Sequence, residues 1–215
     1  AAFGSSASAL GFTSFGNGSS SPVSESPVSK FPIQNCTIQE EKHFTLLAYA
    51  YLLCESSQRS LKKSYKFITE ALRFHKSSFA YFSRGRVAPS ASDKIKDYLS
   101  SIQIDETHSI AYNNLALQLE NVLNEYSEAL KYYNLAIQYH PYDYISYNNR
   151  ALLFENRYGD RERALHDYET SISLNEQYST AWNNRGVCYK RMERYDLALS
   201  DYERAISIDS SYSNA

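Results

Sequence analysis

The stretch YSTAWNNRGVCYKRMERYDLALSDYERAISID, residues 178–209, contains the pattern that decides the fold. Aromatic and small residues recur in it at helical spacing on either side of a short polar break: Trp182, Gly186, Tyr189, Ala198, Tyr202 and Ala205. Intervals of three and four residues place such side chains on one face of a helix. Small residues in both halves allow the two backbones to approach closely. The stretch therefore predicts two helices that pack against each other across a short turn.

The aromatic residue of the second predicted helix recurs through the chain. Tyr202 is preceded by Tyr168, Tyr133 and Tyr98 at intervals of 34, 35 and 35 residues. A fixed period of this length is typical of helical solenoids, in which each unit packs only against its neighbours. The expected fold class is all-α.

These residues resemble the tetratricopeptide repeat (TPR) family, whose unit of about 34 residues has aromatic and small residues in this order. Two earlier copies match through further residues of the same kinds: Tyr147, Ala151, Phe154, Ala164 and Tyr168, and Tyr112, Leu115, Ala116, Leu119, Ala129, Tyr133, Ala136 and Pro141. Arg150 and Arg185 depart from the pattern, because they stand where Leu115 keeps the family's leucine. The resemblance implies a right-handed α-α superhelical solenoid of TPR-like helix pairs that binds other proteins.

Composition divides the chain into a tail and an array. Residues 1–38 are rich in Ser, Gly and Pro, and we expect a disordered tail, because such a segment buries too little apolar surface to offset its ordering entropy. Residues 39–215 are expected to form the TPR-like array. Its predicted units are a diverged one at 40–76, an irregular one at 77–107, regular ones at 108–142, 143–177 and 178–211, and the start of a further one at 212–215.

The helices follow from the same pattern. The regular units predict the pairs 109–122 with 126–140, 144–157 with 161–174, and 179–192 with 195–208. The first two units are one residue longer between their helices than the third, and we expect the extra residue in the turn, where Gly159 and Asp160 are typical turn residues.

The earlier part of the array is less regular. Pro89 cannot lie inside a helix, so a short helix should end before Ala88 and another should begin near Ser92–Asp93. Before that, residues 61–75 predict an amphipathic helix, and the apolar run after residue 40 predicts a buried or end-capping one.

Asparagine pairs follow the first aromatic residue of each regular unit: Asn113–Asn114, Asn148–Asn149 and Asn183–Asn184. Asparagine is a poor helix former, so its recurrence needs a reason. The pairs resemble the asparagine ladder of peptide-binding TPR proteins, in which each amide donates to and accepts from a peptide backbone. Alternatively, the pairs bond the neighbouring repeat or persist from repeat copying. Leu117, Leu152 and Val187, one turn further on, would form an apolar floor.

Charged residues follow at the ends of the same predicted helices. Glu120 and Glu155 occupy one position, and Lys190 with Arg191 occupies it in the last unit. This order predicts a groove that changes from acidic to basic along its length. The predicted groove residues are Asn113, Asn114, Leu117, Asn148, Asn149, Leu152, Asn183, Asn184, Val187, Lys190 and Arg191.

Composition and motifs narrow the function classes. A formal net charge of −2 gives no basic excess for nucleic acid, and no apolar run reaches the 18 or so residues that a membrane span needs. Phosphate-binding glycine loops and nucleophile motifs are absent and the five histidines are unclustered, so we expect no enzyme, no cofactor and no metal. Three scattered cysteines, Cys36, Cys54 and Cys188, favour a reducing compartment.

The leading hypothesis is therefore a non-enzymatic adaptor in the cytoplasm that binds an extended peptide segment in its concave groove. The alternatives are a subunit packed permanently in a larger assembly, or the TPR regulatory part of a longer protein. Phe3–Gly4 and Phe15–Gly16 resemble nuclear pore segments, and the Ser-rich start resembles an organelle transit peptide, so both of these compartments stay open.

The last residues suggest an open end to the array. SYSNA at 211–215 repeats QYSTA at 177–181, so a further repeat begins there. Leu199, Tyr202 and Ile206 on the last helix are therefore expected to be partly uncovered. Exposed apolar surface of this kind marks interaction sites. We expect either that the natural protein continues with more repeats or that this C-terminal face docks onto another copy or a partner.

Overall fold

The structure is a computed structural model that describes residues 58–210 and, ahead of them, Thr45. Residues 58–210 form nine α-helices and no strand: α1 Gln58–Phe74, α2 Ser78–Val87, α3 Ala91–Ile104, α4 Ser109–Gln118, α5 Tyr126–Tyr139, α6 Tyr144–Leu153, α7 Arg161–Leu174, α8 Ser179–Arg191 and α9 Tyr195–Ile208. Helices α4 and α6 continue into π-helical turns at Leu119–Leu123 and Phe154–Tyr158. The all-α prediction is confirmed.

The helices pack as a linear series of pairs. Helix α2 packs on α3, α4 on α5, α6 on α7 and α8 on α9, and the second helix of each pair packs on the first helix of the next. Helix α1 packs on α2 in the same way. We call α2, α4, α6 and α8 the inner helices and α3, α5, α7 and α9 the outer helices. This is the expected TPR solenoid of helix pairs.

Small residues set the distance within a pair. A Cβ atom added to Gly186 would lie 2.8 Å from Cε1 of Tyr202, and one added to Gly85 would lie 2.8 Å from Cε1 of Tyr98. Both tyrosine rings therefore lie directly on the backbone of the inner helix. Ala116 and Ala151, at the same place in α4 and α6, are fully buried.

The extra residue of the two longer units lies in the inner helix, so the expected insertion in the turn is wrong. Only two residues separate the π-helical turns from α5 and α7, whereas three separate α8 from α9. A π-helical turn spans one more residue than an α-helical turn because its hydrogen bonds join residues i and i+5. Each π-helical turn ends in a left-handed residue, Asn124 at φ 57° and Gly159 at φ 67°.

The irregular unit agrees with its prediction except at the start of its second helix. Helix α2 ends at Val87, as Pro89 requires, but α3 begins at Ala91 and its cap is Ser90. The Ser90 hydroxyl accepts from the Asp93 amide at 3.1 Å and donates to the Asp93 carboxylate at 2.6 Å. Helix α1 confirms the amphipathic helix over 61–75. The tail over 1–38, the helix expected after residue 40 and residues 211–215 lie outside the described residues.

Candidate functional site

The asparagine pairs join neighbouring inner helices to one another. Nδ2 of Asn149 donates to Oδ1 of Asn113, and Nδ2 of Asn184 donates to Oδ1 of Asn148, both at 3.0 Å. The second asparagine of each pair thus donates to the first asparagine of the preceding pair. These bonds link helices α4, α6 and α8 side by side. Bonding between neighbouring repeats was the alternative to a peptide-binding ladder in the sequence analysis.

Accessible amides lie at the two ends of this row. Asn113 and Asn148 are buried, whereas Asn114 and Asn183 are half-buried and have no hydrogen-bond partner among residues 58–210. The position in α2 that corresponds to Asn113 is Phe82, which cannot accept a bond from Asn114. Two of the predicted groove amides are thus free to bind a ligand, and the others hold the helices together.

Apolar side chains form a row beside the amides. Leu117, Leu152 and Val187 occupy one position in three successive inner helices and are each half-buried. Ile110 and Ile145, the second residues of α4 and α6, are more exposed, and they were missed in the sequence. Their signal was an apolar residue three positions before each buried asparagine.

The expected acidic end of the groove is wrong, because both carboxylates are buried. Glu120 and Glu155 lie in the π-helical turns, where Oη of Tyr133 donates to Glu120 at 3.1 Å and Oη of Tyr168 donates to Glu155 at 3.0 Å. Burial raises the pKa of Glu120, and the Tyr133 hydrogen bond opposes that shift. These carboxylates therefore belong to the interior of the array.

Fewer basic side chains are available to a partner at the expected basic end of the groove than the residue types suggest. Arg191 donates to Glu155 at 2.7 Å and to Oδ1 of Asn156 at 2.8 Å, so it joins α8 to the preceding repeat. Arg157 lies 3.8 Å from Glu120 in the same relation. Lys190 is exposed and makes no ion pair within the described part of the chain. Lys190 is thus a cation without an ion pair among the described residues that a partner can reach.

Three ion pairs between inner and outer helices were not predicted. In each, an arginine makes two hydrogen bonds of 2.6–2.8 Å to a buried aspartate: Arg84 with Asp97, Arg150 with Asp167, and Arg185 with Asp201. In the remaining pair, α4 and α5, Leu115 packs beside Tyr132 instead. These contacts explain why Arg150 and Arg185 replace the family's leucine. The sequence feature that could have indicated these ion pairs is the dipeptide Asp-Tyr, which occurs in the three outer helices that contain the aspartates.

A cluster of hydroxyls and one imidazole lies where α2, α3 and α4 meet. The hydroxyls of Ser78 and Ser101 are 2.7 Å and 3.0 Å from Nδ1 of His108. Burial lowers the pKa of His108, and the charge of Asp105 acts in the opposite direction. Within the described residues, no group of three or more His, Cys, Asp or Glu side chains could hold a metal, and no helix is long and apolar enough to cross a membrane.

Comparison with known proteins agrees with this geometry. Residues 179–212 match the family model for the tetratricopeptide repeat. Residues 179–212 are therefore a tetratricopeptide repeat, and the described helix pairs before them share its fold. No curated protein sequence matches the chain.

Solved structures share the fold at low sequence identity. MamA is 16% identical with a TM-score of 0.62, over 84% of this chain and 99% of MamA. Pseudomonas aeruginosa PilF is 17% identical with a TM-score of 0.69, over 78% and 75% of the two chains. YrrB, described as "a TPR protein with an unusual peptide-binding site", is 21% identical with a TM-score of 0.56, over 80% and 90%. These likenesses extend to the fold.

Proposed function

We propose that this chain is a non-enzymatic scaffold whose inner-helix surface binds an extended segment of a partner protein. The observation that carries the proposal is the row of half-buried Leu117, Leu152 and Val187 at one position of three successive inner helices. A repeated apolar row suits a ligand that crosses several repeats, because each repeat contributes one contact. The peptide-binding site described for YrrB supports this use of the fold.

The polar groups have separate roles in this proposal. Asn114 and Asn183 are free to donate to and accept from a peptide backbone at the two ends of the row. Asn113, Asn148, Asn149 and Asn184 keep the inner helices in register. Lys190 adds a positive charge that favours acidic residues in the bound segment. A cytoplasmic location fits the buried free thiol of Cys188.

A second candidate is a subunit of a larger assembly, or of an assembly with itself. The exposed apolar side chains of α9 favour it, among them Leu199 and Ile206. Contiguous exposed apolar surface is typical of protein interfaces.

The four interacting and two free asparagines provide a matched test. Linear peptides enriched from a phage-displayed library on the full chain serve as probes in calorimetry. We expect Asn114→Ala with Asn183→Ala to weaken binding about tenfold with an unchanged melting temperature, because up to two bonds of about 0.5–1.5 kcal/mol are lost. The matched variant, Asn149→Ala with Asn184→Ala, should lower the melting temperature, because it leaves buried oxygens without donors. Binding that survives the first variant unchanged would rule out the free amides as ligands.

A further inference from the structure

Two apolar rows run across the inner-helix surface, one on each side of the asparagines. The Leu117 row contains the half-buried Leu117, Leu152 and Val187, and the Ile110 row contains the exposed Phe79, Ile110 and Ile145. Ile110 and Leu117 are seven residues apart, which is nearly two helical turns, so they lie on one line along α4 and about 10 Å apart. Asn113 and Asn114 stand between them in the sequence. The surface thus offers apolar contacts in two parallel rows, with amides between the rows.

The spacing within each row is set by the packing of the helices. Asparagine bonds of 3.0 Å join neighbouring inner helices, and the axes of packed helices are about 8–10 Å apart. An extended β-strand repeats a side chain on one side every two residues, at about 6.6 Å, and loses register at the second contact. A polyproline II segment repeats one every three residues, at about 9.3 Å. The rows therefore match polyproline II, two of whose three edges can face them.

The amides that are available also suit such a ligand. Asn114 and Asn183 have no hydrogen-bond partner among residues 58–210. A polyproline II segment has no internal hydrogen bonds, so its carbonyl oxygens can accept from these side chains. A helical ligand uses its backbone groups within the helix and would leave both amides without a backbone partner.

The charge of the inner helices favours an acidic ligand. Helices α2, α4, α6 and α8, over the ranges given above, contain no aspartate or glutamate. Three of their arginines pair with aspartates of the outer helices, and Arg191 pairs with buried Glu155. Lys190 is exposed and makes no ion pair among the described residues. It follows Val187 by three residues, so the two side chains are neighbours on the surface of α8.

We propose that the inner-helix surface binds a polyproline II segment of a partner protein, with apolar residues repeated every third position and an acidic residue at the end that meets α8. One apolar edge contacts the Leu117 row, the adjacent edge contacts the Ile110 row, and the third edge faces solvent. The acidic residue pairs with Lys190. This inference rests on the proposed function and specifies its ligand.

The test uses acetylated and amidated peptides, so that no terminal charge contributes. The matching peptide consists of three Pro-Leu-Ser triplets followed by glutamate, and its isomer has the same composition with the leucines at alternate residues. Calorimetry against the full chain should show the matching peptide binding about tenfold more tightly, because only one leucine of the isomer stays in register with the Leu117 row.

Charge reversal tests the orientation of the ligand. Replacing the glutamate of the matching peptide by lysine should weaken binding about fivefold, as expected for one exposed ion pair lost and one repulsion gained. Lys190→Glu in the chain should reverse this preference. Lys96→Glu is the matched control, because Lys96 is exposed on the outer helix α3, and it should leave the preference unchanged.

A variant of the Ile110 row tests the second apolar edge. Ile145→Ser should weaken binding of the matching peptide about threefold or more while the circular dichroism spectrum is unchanged, because Ile145 is exposed. Equal binding of the matching peptide and its isomer would overturn the inference. So would full binding to Ile145→Ser, or a charge preference that Lys190→Glu does not change.

The library peptides separate this inference from the proposed function. Selected peptides that depend on Asn114 and Asn183 but carry their apolar residues at alternate positions, or at helical intervals of three and four, would overturn the polyproline II inference and leave the proposed function intact. No saturable binding of any selected or designed peptide would overturn both. Apolar residues at every third position, with an acidic residue at one end, are the expected result.

Discussion

At the scale of single residues, the inner-helix arginines combine an ion pair with aromatic contacts. The guanidinium carbon of Arg150 lies 5.6 Å from the ring centre of Tyr147 and 5.9 Å from that of Phe154, and that of Arg185 lies 4.9 Å from the Trp182 ring. Burying a charge costs free energy, which two hydrogen bonds and adjacent ring faces offset. Where Leu115 stands, no charge is buried, and a tyrosine can lie opposite it. The chain thus contains two alternative solutions for one packing position.

The arginine–aspartate pair and the leucine–tyrosine pair should replace each other only when both residues are changed together. Arg150→Leu alone leaves Asp167 buried without its partner, and we expect it to lower the free energy of unfolding by about 3 kcal/mol. Adding Asp167→Tyr, which copies Leu115 and Tyr132, should restore most of that loss. Urea unfolding of the parent, both single variants and the double variant measures the coupling. Additive effects of the two single changes would contradict this interpretation.

Residue types and spacing predicted which side chains lie on the inner helices, but not what each asparagine contacts. Asn148 and Asn149 are adjacent in sequence and lie about 100° apart around the helix. Which of them faces the next inner helix depends on how α6 and α8 are oriented, and this is a tertiary property. The burial of Glu120 could not be predicted from the sequence either, because the direction of its side chain depends on the π-helical turn.

At the scale of helices, the π-helical turns place a carboxylate under a tyrosine. Glu120 and Glu155 accept from tyrosines thirteen residues later, at the centre of the following outer helix. Burial raises the pKa of both Tyr133 and Tyr168, and the nearby carboxylates add to the shift. These hydroxyls thus remain protonated donors. The turn in α8 is one residue shorter, contains no such carboxylate and is not π-helical.

Tyrosine-to-phenylalanine changes should have different effects on stability in the units with a π-helical turn and in the last unit, which has none. Tyr168→Phe removes a donor from buried Glu155 and should lower the free energy of unfolding by about 1.5 kcal/mol. Tyr202→Phe is the matched control, because its hydroxyl has no acceptor in the described part of the chain, and it should change stability by less than about 0.5 kcal/mol. Thermal unfolding of both variants decides. Equal losses would mean that the tyrosine–glutamate bonds contribute nothing to the longer units.

Helix existence and ends were predictable from apolar periodicity and from the prolines and glycines between helices. Helices α5, α7, α8 and α9 agree with their predicted ranges to within one residue at each end. The π-helical turns were not predictable, because a one-residue excess has the same sequence signature in a helix as in a loop. The buried contact between Tyr133 and Glu120 favours placing the extra residue in the helix and not in the loop.

At the scale of the whole array, successive repeats are joined by different polar groups along its length. The junctions after α5 and α7 have asparagine bonds and arginine–glutamate contacts, whereas the junction between α3 and α4 has the His108 cluster. The ring of His108 packs on Phe82, 4.8 Å between ring centres. Nδ1 of a neutral imidazole has one lone pair and can accept from one of the two hydroxyls, whose oxygens are themselves 2.9 Å apart, whereas a charged imidazole would have to be buried.

Stability should therefore fall as this junction is acidified. The pKa of His108 is lowered by burial, so the folded chain binds fewer protons than the unfolded chain, whose histidine titrates near pH 6.5. The contribution is complete above that pH and is lost as the pH falls from there through the lower pKa of the folded chain. Urea unfolding at about pH 7.5 and about pH 5.5 should show a smaller decrease for His108→Asn than for the parent. Glu120, with its raised pKa, acts with the opposite sign, so the comparison of variants isolates His108. Equal decreases would mean that His108 does not carry the effect.

The boundary between tail and array is a prediction from composition. Ser, Gly and Pro in residues 1–38 supply no periodic apolar face, whereas the array forms its core between repeats. We expect limited proteolysis to remove this segment and to leave a helical product that begins near Glu40. The melting temperature of that product should equal that of the parent. A protected tail, or lost helicity after trimming, would move the boundary.

The asparagine bonds have a direction, and direction limits how such a chain can change its length. Each bond runs from one repeat back to the repeat before it. Duplicating or deleting a whole repeat returns every amide to a partner of the same kind. An insertion of a few residues within an inner helix would rotate one asparagine away and leave a buried oxygen unsatisfied. The part of the array that these bonds join, α4 to α8, therefore tolerates the gain or loss of a whole repeat better than an insertion of a few residues within an inner helix, apart from the single residue that a π-helical turn absorbs.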